Sequence, residues 1–99
     1  MTREGPPIEI RGTPGIVEVD LPETPTSGYV WEIAAAPSGI EERGRDFREE
    51  SREPIAGGSG LRTFKFDVPT PGAYEVAFEL KRPWEAEALE RRTVRLVIA

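Results

Sequence analysis

The sequence predicts an all-β sandwich of seven short strands, and three observations predict it. Apolar residues alternate with polar ones at period two along most of the chain, the mark of strands buried on one face. Ten Pro and ten Gly divide the 99 residues into short pieces with turn chemistry between them. A Trp on the third piece, and a Tyr just after Pro-Gly on the sixth, stand where an immunoglobulin-like sandwich places a buried Trp and a tyrosine corner. The fold class expected is therefore all-β, an immunoglobulin-like seven-stranded β-sandwich formed by residues 1–99 as a single domain.

Taken in order, Ile8 and Ile10 mark the first strand. Val17, Val19 and Leu21 alternate with Glu18 and Asp20 in the second. Tyr29, Trp31 and Ile33 alternate with Val30 and Glu32 in the third. The segment Glu41 to Glu53 is nearly all charge around Phe47, which reads as an exposed edge strand whose charges discourage sheet-to-sheet pairing. Phe64, Phe66 and Val68 form the fifth strand, and Tyr74, Val76, Phe78 and Leu80 the sixth. Val94, Leu96 and Ile98 form the last. Between them, Trp84 to Arg92 is rich in helix formers but short and uncapped, so a loop with at most one helical turn is expected there.

Composition excludes several functions. The net charge of −5, with basic residues interleaved among acidic ones, argues against nucleic acid as a partner. There is no Cys and no His, which removes thiolate chemistry, the commonest general base and the commonest metal ligands. Asp and Glu are plentiful, yet no pair has a catalytic or calcium-loop pattern. No enzyme activity, cofactor or metal is expected. No apolar run reaches signal-peptide or membrane-spanning length, about 18 residues for a span, so a soluble chain without membrane contact is expected. The chain as given reads as cytoplasmic, or as secreted or periplasmic if a signal was removed. A monomer is the expected state.

Three connections carry unusual chemistry. In Thr24–Trp31 (TPTSGYVW), Pro25 sets its own φ and pushes Thr24 to extended geometry, Thr26 and Ser27 put hydroxyls at the tip, and Gly28 permits positive φ before Tyr29. In Ala56–Phe64 (AGGSGLRTF), Gly57, Gly58 and Gly60 surround Ser59 and permit close backbone approach to another surface. In Leu80–Glu85 (LKRPWE), Arg82 and Pro83 lead to Trp84, a large aromatic in charged surroundings just past a strand. Trp and Arg are the residue types that most often anchor interfaces. Each connection alone is an ordinary turn, a flexible connector or an end cap. In a seven-strand sandwich, however, they are the BC, DE and FG loops, which emerge at one end.

These motifs resemble the chagasin-type inhibitors of cysteine peptidases. That family carries NPTTG-aromatic-x-W, then GxGG-xxx-aromatic, then RP-aromatic, and this chain has TPTSGYVW, GGSGLRTF and RPW in the same order and strand context. The resemblance runs from about Ile8 to Ala99. It implies a reversible, competitive inhibitor of papain-like cysteine peptidases that inserts a three-loop wedge into the active-site cleft. The residues it implies for peptidase binding are Thr24, Pro25, Thr26, Ser27, Gly28, Tyr29, Gly57, Gly58, Ser59, Gly60, Arg82, Pro83 and Trp84. Thr26 is placed nearest the catalytic Cys–His pair, Trp84 on one side of the cleft and the Gly-rich loop on the other. Three positions depart from the family pattern: Thr24 stands for Asn, Ser27 for Thr and Ser59 for Gly. The competing reading is a non-inhibitory immunoglobulin-like binding module that kept the fold and lost the target.

Overall fold

The structure, a computed structural model, describes residues 2–49 and 59–99. The strands are β1 (Arg3–Glu4), β2 (Ile8–Gly12), β3 (Gly15–Glu23), β4 (Val30–Ala35), β5 (Glu41–Glu49), β6 (Gly60–Val68), β7 (Gly72–Lys81) and β8 (Glu90–Ile98). Among the described residues one 3-10 turn, Pro25–Ser27, interrupts them. Two sheets form. One runs β1-β8-β7-β4, with β2 also on β8, and the other runs β3-β6-β5.

The period-two alternation is complete along β3 and holds over the second halves of β6 and β8, so both sheets contribute apolar side chains to the space between them. On β3, Val17, Val19, Leu21 and Glu23 are buried while the residues between them are exposed. On β6, Phe64, Phe66 and Val68 turn inward, and on β8 so do Val94, Leu96 and Ile98. With Val76 and Phe78 of β7 and Trp31 of β4, they fill the space between the sheets. Phe78 packs across the sandwich on Phe64 at 4.9 Å between ring centres and edge-on to Phe66 at 6.3 Å. Burying each such side chain contributes about 1.5–3 kcal/mol, and tilted aromatic pairs add to that.

The expected strands are all present. The expected tyrosine corner forms as well: Tyr74 Oη donates to the carbonyl of Thr70 at 2.7 Å. β5 is the edge of its sheet, as its charge suggested, and carries a bulge between Glu42 and Gly44. The expected strand continued to Glu53, and its last four residues lie outside the described part.

One feature refines the sequence reading, and one was not anticipated by it. No helical turn forms within Trp84–Arg92. Strand β8 starts at Glu90, because pairing with Leu80 and Phe78 of β7 supplies hydrogen bonds that outweigh a short helix. An extra strand, β1, runs parallel to the start of β8. Arg3 N–H donates to the Leu89 carbonyl at 3.0 Å, Gly5 N–H to that of Arg91 at 2.9 Å, and Thr2 Oγ1 to that of Ala88 at 2.8 Å.

Glu90 secures this N-terminal edge. Its buried carboxylate accepts from Arg3 and, at 2.8 Å, from Arg92 Nε. Burial pushes the Glu90 carboxyl up, but the hydrogen bonds and charges of Arg3 and Arg92 together outweigh it, so the group sits below its ordinary value of 4.5. A depressed folded pKa contributes stability above that ordinary value, and the contribution is lost as pH falls through the lower, folded value. Glu90→Gln is therefore expected to be less stable than the parent at neutral pH. The gap should close as pH falls below 4.5, read from thermal melts across the acid range. A gap independent of pH would contradict this role.

Candidate functional site

Strand register places the unusual connections together. Glu23 pairs with Gly60, and Gly60 with Glu49, so β3 ends, β5 ends and β6 begins at one edge. Val30 pairs with Lys81, and Leu80 with Glu90, so β4 begins, β7 ends and β8 begins at one edge. Residues 24–29 join β3 to β4, which makes the two edges one end. The BC loop (24–29) and the FG loop (82–89) leave from it, and Glu49 and Ser59, which flank the DE connection, lie there too.

The base of this end is a buried carboxylate. Glu23 closes β3, and its side chain is fully out of solvent. It accepts from Arg62 Nη2 at 2.7 Å and Nε at 3.2 Å, and from the backbone N–H of Trp31 at 3.1 Å. The Trp31 indole donates to the Pro22 carbonyl at 2.7 Å. β4 is the edge of its sheet, so half of its N–H groups lack a strand partner, and Glu23 of the opposite sheet takes this one. The Arg62 guanidinium also lies over the Phe47 ring at 5.1 Å. Among the described residues no buried side-chain polar atom lacks a partner.

The BC loop rises from this base. Pro25–Ser27 curl into a 3-10 turn closed by the Ser27 N–H donating to the Thr24 carbonyl at 3.0 Å. The Ser27 hydroxyl donates to the same carbonyl at 2.6 Å and accepts from Tyr29 N–H at 3.2 Å. Ser27 thus spends its hydroxyl within the loop. Thr26 is exposed at the crest. Gly28 takes φ +82°, as the turn back into β4 requires.

Two contacts join this loop to its neighbours. Thr24 Oγ1 and Ser59 Oγ lie 3.3 Å apart, linking BC to the end of DE. Arg82 stacks on Tyr29, its guanidinium carbon 4.5 Å from the ring centre, and Nη2 reaches the Ser27 carbonyl at 3.5 Å, linking BC to FG.

In the FG loop the Glu85 N–H donates to the Arg82 carbonyl at 3.0 Å, closing a four-residue turn with Pro83 and Trp84 at its centre. Pro83 presets the first central φ. Trp84 consequently stands at the tip, 76% exposed, and does not fold back over the open end of the sandwich. Leu89 is also exposed, and with Pro22, Thr24, Tyr29 and Leu80 it lines a groove of about 340 Å³ between BC and FG.

Of the residues expected to form the site, Thr24, Thr26, Ser27, Gly28, Tyr29, Ser59, Arg82, Pro83 and Trp84 gather at this end, with Pro25 in the 3-10 turn. Gly57 and Gly58 lie outside the described residues. Gly60 is placed at the same end but is buried. A Cβ there would come within 2.3 Å of the Arg48 carbonyl oxygen and 2.5 Å of Phe47 Cζ. The close approach that Gly60 permits is to the protein's own β5, not to a second surface. Glu23 and Arg62 were not singled out from the sequence. The phase of the alternation could have found them, since both occupy inward positions at the same end of neighbouring strands and carry opposite charge. Among the described residues no cluster of acidic side chains suits a metal ion.

Comparison with known proteins places this geometry. The family model described as Chagasin family peptidase inhibitor I42 matches residues 14–98. A search of curated proteins returns no match to this sequence. Solved structures of similar fold include the cysteine protease inhibitor EhICP2 from Entamoeba histolytica, with a TM-score of 0.71 and 20% identity over 99% of this chain and 88% of that one. Amebosin, solved in solution, gives 0.65 and 20% over 96% and 100%. PbICP-C, solved in complex with falcipain-2, gives 0.63 and 16% over 99% and 91%.

Removing the carboxylate at the base tests the site's support. Glu23→Ala leaves the Trp31 N–H without an acceptor and Arg62 without its partner. It should cost about 3 kcal/mol of stability in chemical denaturation. A change below about 1 kcal/mol, the scale of a surface pair, would show that the pair is not structural.

Proposed function

The chain belongs to the chagasin family of peptidase inhibitors, and on that premise we propose that it inhibits papain-like cysteine peptidases, reversibly and competitively, by seating its three-loop end in the active-site cleft. The observation that carries this reading is the convergence of the BC and FG loops and Ser59 at one end, with an exposed Trp at the tip of a closed turn. The family is one of inhibitors, not of enzymes.

The local chemistry supports a plug that is not cleaved. Thr26, at the crest of the BC loop, is assigned the position nearest the catalytic Cys–His pair. Its backbone is curled into a 3-10 turn held by three hydrogen bonds around Ser27. A curled segment does not present an extended peptide with its carbonyl aligned for attack, so the nucleophile is covered without being given a near-attack geometry. The loop is stiffened by Pro25 and by its internal bonds, so little freedom remains to be lost on binding.

Trp84 is assigned the anchoring contact on one side of the cleft. An aromatic ring this exposed at a loop tip is costly to leave in water and gains most when a partner covers it. Arg82 and Pro83 place it, and the Ser59 side of the site faces the opposite wall. The Thr24–Ser59 contact also bears on two of the three departures from the family pattern. Where a family member has an Asn and a Gly, this chain has two hydroxyls that reach each other.

The test is a titration against several purified papain-like peptidases. Inhibition relieved by raising the substrate concentration is expected for at least one of them. No inhibition of any at micromolar protein would overturn the proposal in favour of a binding module with another target. Trp84→Ala should weaken inhibition by about 2 kcal/mol or more, roughly thirtyfold, with the thermal melt unchanged. An unchanged inhibition constant would remove Trp84 from the contact.

A further inference from the structure

We infer that Arg82 is a positioning residue, a strut between the BC and FG loops that sets where Trp84 stands, and not a group that itself meets the peptidase. The inference rests on the inhibitory reading above and deepens it by dividing the RPW motif into a support and a contact.

The surroundings of Arg82 carry the argument. One face of its guanidinium covers the Tyr29 ring, with Cζ 4.5 Å from the ring centre. Nη2 points to the Ser27 carbonyl at 3.5 Å, and Nη1 to Glu85 Oε1 at 3.7 Å. Its stem lies along the backbone of Gly28: a Cβ at Gly28 would sit 3.5 Å from Arg82 Nε, 3.8 Å from Cγ and 3.9 Å from Cδ. The Arg82 carbonyl accepts the Glu85 N–H that closes the turn bearing Trp84. Side chain and backbone of one residue therefore hold both loops.

These contacts differ in weight. The ion pair to Glu85 is partly exposed and screened, and the reach to the Ser27 carbonyl is long. The stack on Tyr29 is the stronger, because a planar guanidinium suits an aromatic face and a lysine ammonium does not reproduce the fit. With a ring beneath it and a carboxylate beside it, the Arg82 charge is already engaged within the chain. It makes a poor free cation to offer to a partner. Its effect on binding is to hold the Trp84 turn against the BC loop before the encounter, which lowers the ordering cost of association.

Three measurements on the full chain test this. The first is a double-mutant cycle read as inhibition constants against one peptidase that the parent inhibits. Arg82→Ala should weaken inhibition about tenfold in the parent, but less than about twofold in a Tyr29→Leu background, because the ring it acts through is gone. Equal losses in the two backgrounds, or no loss in the parent, would overturn the inference. The second is Arg82→Lys. It should lose nearly as much as Arg82→Ala if Arg82 is a strut. Retention of parental inhibition would mean that the charge meets an acidic group on the peptidase. The third needs no peptidase. In the free protein the Arg82 side-chain protons should show the upfield ring-current NMR shift of a group over an aromatic face, and random-coil shifts would remove the stack. If Tyr29→Leu does not fold, the lysine variant and the NMR shift decide alone. A parent that inhibits nothing defeats the function proposed above, whereas the NMR shift still decides whether Arg82 bridges the loops.

Discussion

Glu23 occupies an inward position on a strand whose other inward residues are Val17, Val19 and Leu21. A carboxylate there loses its water and is tolerable only when donors replace that water in good geometry. The donors come from two directions: Arg62 on the neighbouring strand and the Trp31 N–H on the facing sheet. Satisfying one charge therefore locks three strands in place and ties the two sheets at the end where they open. The apolar interior between them is non-directional and could tolerate some sliding of one sheet over the other. The Glu23 constellation cannot, because its hydrogen bonds fail within a few tenths of an ångström.

The loops inherit this rigidity. Thr24 follows Glu23 directly, and β4 begins one residue before Trp31, so the BC loop is short and clamped at both feet. Within it almost every polar group is engaged: Ser27 with Thr24 and Tyr29, Thr24 with Ser59, Arg82 with Tyr29. Among the described residues, what remains exposed at the two loop tips is a small set, chiefly the Thr26 crest and the Trp84 ring. On the proposed reading, this end relies on shape and on one aromatic ring more than on charge.

The rest of the sandwich protects the arrangement. The charged, bulged β5 edge resists pairing with other chains, and the open β3 edge carries Glu18, Asp20 and Pro22 on its outward positions. At the N-terminal margin, Glu90 draws β1 onto β8 and begins that strand just where the FG loop ends. The carboxylates Glu23 and Glu90 thus stand at the two ends of the segments that frame the loops, each held by arginines.

Much of this was legible beforehand. The period of the apolar residues gave the strands and their buried faces, because alternation is a local property that a strand imposes whatever it packs against. The turn chemistry located the BC and FG loops, and the Pro-Gly before Tyr74 foretold its corner. Other features needed the fold. Trp84 could equally have capped the open end, and only the closed Arg82–Glu85 turn shows it displayed. Gly60 read as freedom to meet a partner, yet its bare backbone is needed by the carbonyl of Arg48. The last of the helix-prone residues, Glu90 to Arg92, became strand because β7 was there to pair with them. By itself, then, the sequence determined which side of each strand is apolar and which loops carry unusual chemistry. Which strands lie side by side, and therefore which charges meet in the interior and which loops share an end, depends on register between residues distant in the chain, and only the tertiary structure decided that.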